Sequence, residues 1–224
     1  MAARTLDEGR AWCRVTLGVD PTGGGKHAGL ATHNTLLRLG AAEARRYLEI
    51  IAVDPDAGCT SFPRWFGLDT ATVQRDIAQG PRLVAWVARC GGRDDSFAGA
   101  GGAPSTALAI ETLAATTGYA AHVVRAASRG DFRWRFAFTP DGERIAGGVL
   151  PHLIQWDVAM HPCDHLPESG VQLSSLLLGA PVPDATRAML DALAFDDSHV
   201  LVAQSASPQL VATLFTPTGT VTLD

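Results

Sequence analysis

Between Ala31 and Pro55 the chain reads ATHNTLLRLGAAEARRYLEIIAVDP, two apolar runs on either side of a short polar turn. The pattern predicts a pair of strands over residues 32–40 and 47–54. Alternation along the second strand sets Leu48, Ile50 and Ala52 on one face and Tyr47, Glu49 and Ile51 on the other. A carboxylate on an otherwise apolar face requires that face to be wet or to line a cavity, because an uncompensated buried charge is expensive.

The same kind of pattern organises the rest of the chain. Thr5 predicts a helix cap with Glu8 completing a capping box, followed by Trp12, Val15 and Leu17 at helical spacing and a stop at Gly18. A glycine-rich loop over residues 21–25 leads into the strand pair. It is not a phosphate cradle, since no GK[ST] follows and no strand-to-helix junction surrounds it. A short helix is expected over 70–78, a strand over 82–89, a Gly/Ala-rich loop over 91–104 and a helix over 105–117. Strands then follow over 121–127, 132–139 and 149–156, with Pro140-Asp141-Gly142 as the turn before the last. The C-terminal part predicts a strand over 171–178, a helix over 183–195 and strands over 199–204, 209–216 and 220–223. A strand–helix–strand rhythm recurring about three times predicts an α+β fold with mostly antiparallel sheets. Residues 132–139 and 150–157 echo 32–40 and 47–54, and in that alignment Gln155 takes the place of Glu49.

Composition narrows the function classes. With 224 residues, 46% of them apolar and 18% charged, the chain can build a large core without disulfide staples. A formal net charge of -5 gives no basic surface for a nucleic acid. Cys13, Cys59, Cys90 and Cys163 form no CxxC pair, so the default is idle thiols. The chain shows no apolar signal core at Met1 and no membrane-length apolar run, and a reducing cytoplasm is the expected compartment.

Glu49 is the first candidate for chemistry. It could pair with Arg38 on the neighbouring strand, sit in a water-lined cavity, ligate a metal or act as a base. His33 and Asn34 open the first strand of the pair, and His27 lies on a loop that could reach the same end; imidazole and carboxylate together suit a divalent ion. Arg133 and Arg135 share one strand face opposite Phe132, Trp134, Phe136 and Phe138. If the aromatic face packs on a helix, the guanidiniums line the inner side and suit an anionic group; on a solvated edge strand they would simply face water. Trp65, Trp134 and Trp156 could wall an apolar pocket. His161, Asp164 and His165 form a further polar group in an irregular segment. No GxSxG, HExxH or P-loop pattern supports a nucleophilic mechanism.

The strand pair bearing Glu49 is accompanied, in order along the chain, by Gly24-Gly25-Lys26-His27, Thr32-His33-Asn34, the run from Pro63 to Asp69, Arg133-Trp134-Arg135, Leu153-Ile154-Gln155-Trp156, His161-Pro162 and Thr216-Pro217-Thr218-Gly219. Together these resemble the glyoxalase-like branch of the vicinal oxygen chelate superfamily. The resemblance implies repeated βαβββ modules whose curved, mostly antiparallel sheets surround a concave pocket. It places a first module over 1–80, a second over 81–165 and a C-terminal partial unit over 166–224. It also implies a divalent metal (Zn, Mn, Fe or Ni) held by Glu49 with His33 or His27, catalysis by Glu49 and His33, and substrate contacts from Asn34, Trp65, Arg133, Arg135, Gln155 and Trp156. The implied partner is a small molecule, with no nucleic acid or membrane, and a homodimer could complete the sheets. Three departures stand out: only residues 1–4 precede the capping box where a histidine-bearing strand is expected, Gln155 offers a neutral amide, and Trp86 stands where a second histidine would. A strand upstream of Met1 is the expected remedy for the first. The resemblance therefore leaves open a metal-dependent lyase, isomerase or dioxygenase-type enzyme and a metal-free drug- or metabolite-sequestering protein.

Overall fold

The computed structural model describes residues 1–91, 109–116 and 123–224. Helix α1 (Leu6–Trp12) starts where Thr5 Oγ1 accepts from the Glu8 amide at 3.1 Å; the Glu8 carboxylate turns to Arg4 instead of closing the box. The helix widens into a π turn over Cys13–Leu17 and ends on Gly18, whose φ of 73° releases the chain. Strands β1 (Thr22–His27), β2 (Thr32–Arg38) and β3 (Tyr47–Val53) form an antiparallel sheet in that order. The glycine-rich segment expected as a loop is therefore an edge strand, bulged between Thr22 and Gly25. Gly24 makes that possible: its φ is 90°, and a Cβ there would stand 2.1 Å from the Asn34 carbonyl oxygen.

The free edge of β3 is not left open. Residues 1–3 run parallel beside it, the Ile51 amide donating to Met1 at 2.9 Å and the Ala3 amide to Ile51 at 3.0 Å. On the far side Ala2 exchanges amide bonds of 2.7 and 2.9 Å with Arg82. The strand that the sequence pattern seemed to lack before α1 is thus supplied by these few residues, too short for a periodicity signal.

Helix α2 (Ala71–Ile77) is capped by the Thr70 side chain. The strand expected over 82–89 is regular only at β4 (Val87–Arg89), because residues 82–86 leave one sheet and reach the next. With α3 (Ile110–Thr116), β5 (Val123–Arg129), β6 (Phe132–Phe138) and β7 (His152–Trp156), β4 builds a sheet of order β4-β7-β6-β5 in which β4 and β7 are parallel. Most of the loop expected over 91–104, and the start of the helix expected at 105, lie outside the described residues. The two stretches share one connection order: a strand, a helix and three antiparallel strands, the last lying parallel beside the first.

The third stretch breaks this pattern. Strands β8 (Gln172–Ala180), β9 (Val200–Gln204), β10 (Gln209–Thr216) and β11 (Gly219–Leu223), with helix α4 (Pro183–Ala192) between β8 and β9, take the order β11-β10-β8-β9. Here β8 is central and lies parallel to β9. The rhythm read from the sequence recurs, but the topology does not.

Each of the first two sheets has a helix side and an inner side. On the first, Ile50 packs so closely on α1 that a Cβ at Gly9 would come within 2.3 Å of its Cγ2, and Leu37 and Leu48 join Leu178 and Leu214 in one core. On the second, Ala137 and Leu153 pack under Ile110 and Leu113 of α3. The inner sides meet each other, Ile51 joining Trp65, Phe66, Trp134 and Phe136.

Candidate functional site

Opposite residues of an antiparallel pair project to the same face. The pairs Asn34–Ile51 and Leu36–Glu49 therefore put Asn34 and Glu49 together on the inner side. The Asn34 amide group donates one hydrogen to Glu49 Oε1 and approaches His27 Nε2 at 3.4 Å with the other, while its Oδ1 accepts from the Gly25 amide at 2.9 Å and from Arg129 at 3.2 Å. All four hydrogen-bonding positions of the amide are used. Flipping it would turn oxygen toward carboxylate and hydrogens toward hydrogens, so the network fixes its orientation. His27 completes the chain through Nδ1, 3.1 Å from Thr32 Oγ1. Accepting at Nε2 requires its proton on Nδ1. Burial lowers the pKa of this ring, opposed by the Glu49 charge and assisted by Arg129, so it is neutral at physiological pH.

Two cavities meet at Glu49. The smaller, about 40 Å³, is walled by His27, Trp65, Trp134, Phe136 and Arg129. The larger, about 230 Å³, follows the seam where residues 83–89 pass between the sheets, and reaches Leu173, Leu176 and Leu214 of the third. Tyr47, Glu49, Phe66, Val87, Ile154 and Trp156 line both. The volume of the larger cavity far exceeds the roughly 10–15 Å³ that admits one water. Most of the wall is apolar. Burial pushes the Tyr47 phenol well up, so it acts only as a neutral hydroxyl. His161 stands between Tyr47 and Trp156, with ring centroids 5.8 and 5.3 Å away. Burial pulls its pKa down to about 3, and the Arg45 and Arg89 charges add to the fall.

The residues singled out in the sequence divide sharply. Glu49, Asn34, His27, Trp65 and Trp156 come together at the junction of the cavities. His33 does not: it pairs with Ala52, and alternation sends it to the opposite face from Glu49. Arg38 does not pair with Glu49 either, donating to the Leu166 carbonyl at 3.1 Å. Arg133 and Arg135 are on the side away from the cavities. Arg135 binds Asp157 at 2.8 Å and Glu111 of α3, and Arg133 is exposed. The expectation had the faces reversed, because the aromatic face packs on the inner wall and the arginines lie toward the helix. Gln155 shares that back face, where its Oε1 accepts from the Ile110 amide at 2.9 Å. The residue matching Glu49 is Ile154: Leu36 stands four residues into β2 opposite Glu49, and Phe136 four residues into β6 opposite Ile154. The internal alignment was one residue out, and one residue exchanges the faces of a strand. His161 and His165 do not form a pair, His161 being buried with Nδ1 accepting from Cys163 and His165 exposed. Trp86 lines the larger cavity and donates to the Val149 carbonyl at 2.9 Å. Arg129, Arg45 and Arg89 escaped the sequence reading; Arg129 reaches Asn34 across 95 residues of chain, which no local pattern signals.

The donors around Glu49 do not fit a metal. The His27 nitrogens and the near oxygen of Glu49 are committed to Thr32 and Asn34, and His33 is on the other face. Among the described residues no three His, Cys, Asp or Glu side chains converge in a way that could hold an ion. No described helix is long and apolar enough to cross a membrane.

A family model described as a glyoxalase-like domain matches residues 1–194. No curated protein and no solved structure matches the chain.

Proposed function

Because the chain belongs to the glyoxalase-like domain family of the vicinal oxygen chelate superfamily, we propose that it binds a small organic molecule in the cavity between its first two sheets, without a metal. The shared connection order supports reading residues 1–80 and 81–165 as two βαβββ modules whose inner faces form a concave site, with 166–224 closing it from behind. The observation that carries the proposal is the junction at Glu49: a carboxylate oriented by a saturated amide, at the meeting point of an aromatic recess and an apolar cavity of about 230 Å³. Such a wall, apolar with a few fixed polar groups, suits a small ligand.

Family membership implies a divalent ion, and when present such an ion polarises vicinal oxygens of the substrate. The donors around Glu49 do not fit one, His27 and the near carboxylate oxygen being taken up by Thr32 and Asn34. What the residues themselves can do is limited and specific. Glu49 can accept a hydrogen bond or a proton from a ligand group, and Asn34 holds its carboxylate in place while it does so. That chemistry serves a sequestering protein and a proton-transfer enzyme alike.

Tryptophan emission tests the site, since Trp86 and Trp156 line the larger cavity. A panel of small apolar probes should quench it and raise the melting temperature, and Ala212→Leu, which fills the wall, should abolish both effects. Binding that disappears with a chelator and returns with Zn or Mn would overturn the metal-free proposal and restore the metal-dependent one.

A further inference from the structure

The smaller cavity holds two opposite charges apart. Glu49 and Arg129 both enter its wall, and each is tied to the Asn34 side chain: Nδ2 donates to Glu49 Oε1, and Oδ1 accepts from an Arg129 guanidinium nitrogen at 3.2 Å. The amide stands between carboxylate and guanidinium as a neutral spacer. The Met1 amino group donates to the Glu49 main-chain carbonyl at 2.8 Å and not to the carboxylate. Arg129 reaches in across β1, where Gly25 leaves room for it: a Cβ there would stand 2.8 Å from its Cδ. His27 and Tyr47 each feel both the Glu49 and the Arg129 charge, which sets the two charges at one place in the recess.

Both charged groups keep unused capacity. Among the described residues Glu49 Oε2 has no hydrogen-bond partner, and the one hydrogen bond of the Arg129 guanidinium is that to Asn34. A guanidinium offers several further N–H donors in a planar fork. The Phe132 ring, with its centroid 6.0 Å from the guanidinium carbon, is at the outer limit of a cation–π contact and takes none of them. The Tyr47 hydroxyl, a neutral group on the wall of both cavities, adds a donor beside them. The recess, about 40 Å³, has room for a head group displacing roughly three waters. Past Tyr47, Ile154 and Trp156, which line both spaces, the apolar cavity of about 230 Å³ begins.

Resting on the cavity-binding function above, we propose that the ligand is an α-amino acid with an aromatic or branched apolar side chain, its carboxylate on Arg129, its ammonium on Glu49 and its side chain in the larger cavity. The two charges of such a molecule sit on one carbon and mirror, with opposite sign, the pair that Asn34 keeps apart. A plain carboxylic acid would answer Arg129 and repel Glu49, and a plain amine would do the reverse. The zwitterion answers both with charge-assisted hydrogen bonds, the arginine fork matching the two carboxylate oxygens and Tyr47 adding a donor. Recess and ligand are each neutral as a pair, so binding leaves no net charge in a largely apolar space, where an unanswered one is costly.

The test is a set of analogues that each delete one charge: phenylalanine against hydrocinnamate, which lacks the ammonium, phenethylamine, which lacks the carboxylate, and phenyllactate, which carries a hydroxyl in place of the ammonium. Leucine and its three counterparts supply a second side chain, and all are titrated against the full chain by tryptophan quenching. At least one of the two amino acids should bind about tenfold or more tightly than each of its own analogues. Arg129→Met should remove about tenfold of that affinity while leaving the amine within about twofold, Glu49→Gln should remove as much while sparing hydrocinnamate, and Arg129→Lys should fall between wild type and Arg129→Met. Melting temperatures check that the variants remain folded, and the wild-type series needs no variant at all. An analogue that binds as tightly as its amino acid, or variants that weaken amine and acid alike, would overturn the zwitterion site while leaving the cavity function intact. Failure of both series while small apolar probes still bind would do the same, and failure of the apolar probes as well would overturn both.

Discussion

The first two sheets follow the same path and reverse its polarity. On the first, the helix side is Leu37, Leu48 and Ile50, while the inner side carries Asn34 and Glu49. On the two central strands of the second, β6 and β7, the inner side is Trp134, Phe136, Ile154 and Trp156, and the polar residues Arg135 and Gln155 lie on the helix side; Arg129 reaches inward only from the edge strand β5. The central strands of one sheet bring polar groups to the cavity and those of the other bring a wall of rings. The lesson is that an apolar stripe marks burial, not direction: in a sheet buried on both faces the more apolar face can line the site.

The most forceful way to break this comparison is to remove the polar centre of the first inner face. Asn34→Leu leaves the Glu49 carboxylate, the Arg129 guanidinium and the Gly25 amide without their common partner in a part-buried site. Stranded buried polar groups cost about 1–3 kcal/mol each and charged ones more, so a loss of roughly 3–5 kcal/mol is expected in urea denaturation. A loss below about 1 kcal/mol would show that water satisfies these groups and that the inner face of the first sheet behaves as surface.

His161 joins the two faces, packed between Tyr47 of one and Trp156 of the other. Its pKa falls from 6.5 in the unfolded chain to about 3 in the fold. Between those values the unfolded state binds more protons, so the neutral ring's contribution is intact above about pH 6.5 and is lost as pH falls toward 3. By about pH 4.5 the loss should reach on the order of 3 kcal/mol relative to pH 7. Measuring stability against pH for the wild type and His161→Phe isolates the effect, since the carboxylates titrate in both. Parallel curves would mean that the ring is hydrated and the two faces are not sealed against each other there.

Gly24 sharpens the contrast at the edge strands. β1 is bulged so that Gly24 lies against the Asn34 backbone, whereas β5 pairs with β6 without interruption. Gly24→Ala forces a Cβ to 2.1 Å from a carbonyl oxygen at a φ of 90°, with an expected cost of about 3 kcal/mol. The thermal unfolding midpoint should drop by several degrees, and an unchanged midpoint would show that β1 can leave the sheet at little cost.

These differences explain what the sequence could and could not disclose. Strands β2, β3, β6 and β10 were legible because each carries a sustained apolar run, and α1 and α2 because Thr5 and Thr70 cap them. β1 was not, since strand propensity argues against three consecutive glycines and only pairing with β2 overrides it. Glu49 announced itself as one acid in an apolar strand, and Asn34 and His27 by proximity to it. The arginines of β6 misled because alternation separates two faces without saying which one meets the helix. Gln155 misled because the echo was aligned on apolar residues, and a shift of one position left that match almost as good. Arg45, Arg89 and Arg129 gave no signal, since which cavity each one lines depends on how the sheets meet.

The smallest expected effect tests whether Gln155 is structural. Its Oε1 accepts from the Ile110 amide at the start of α3, and both residues are buried. The first amides of a helix have no partner within it, so a side chain that supplies one acts as a cap from outside the helix. Gln155→Leu keeps the bulk and deletes that acceptor, which should cost about 1–2 kcal/mol. Amide exchange should quicken across residues 110–116 while the strands of the first sheet stay protected, and affinity for a cavity ligand should be unchanged, because the substitution lies behind the sheet. Reduced affinity with α3 protection intact would instead place Gln155 on the ligand's side, and the reversed polarity of the two sheets would no longer describe the site.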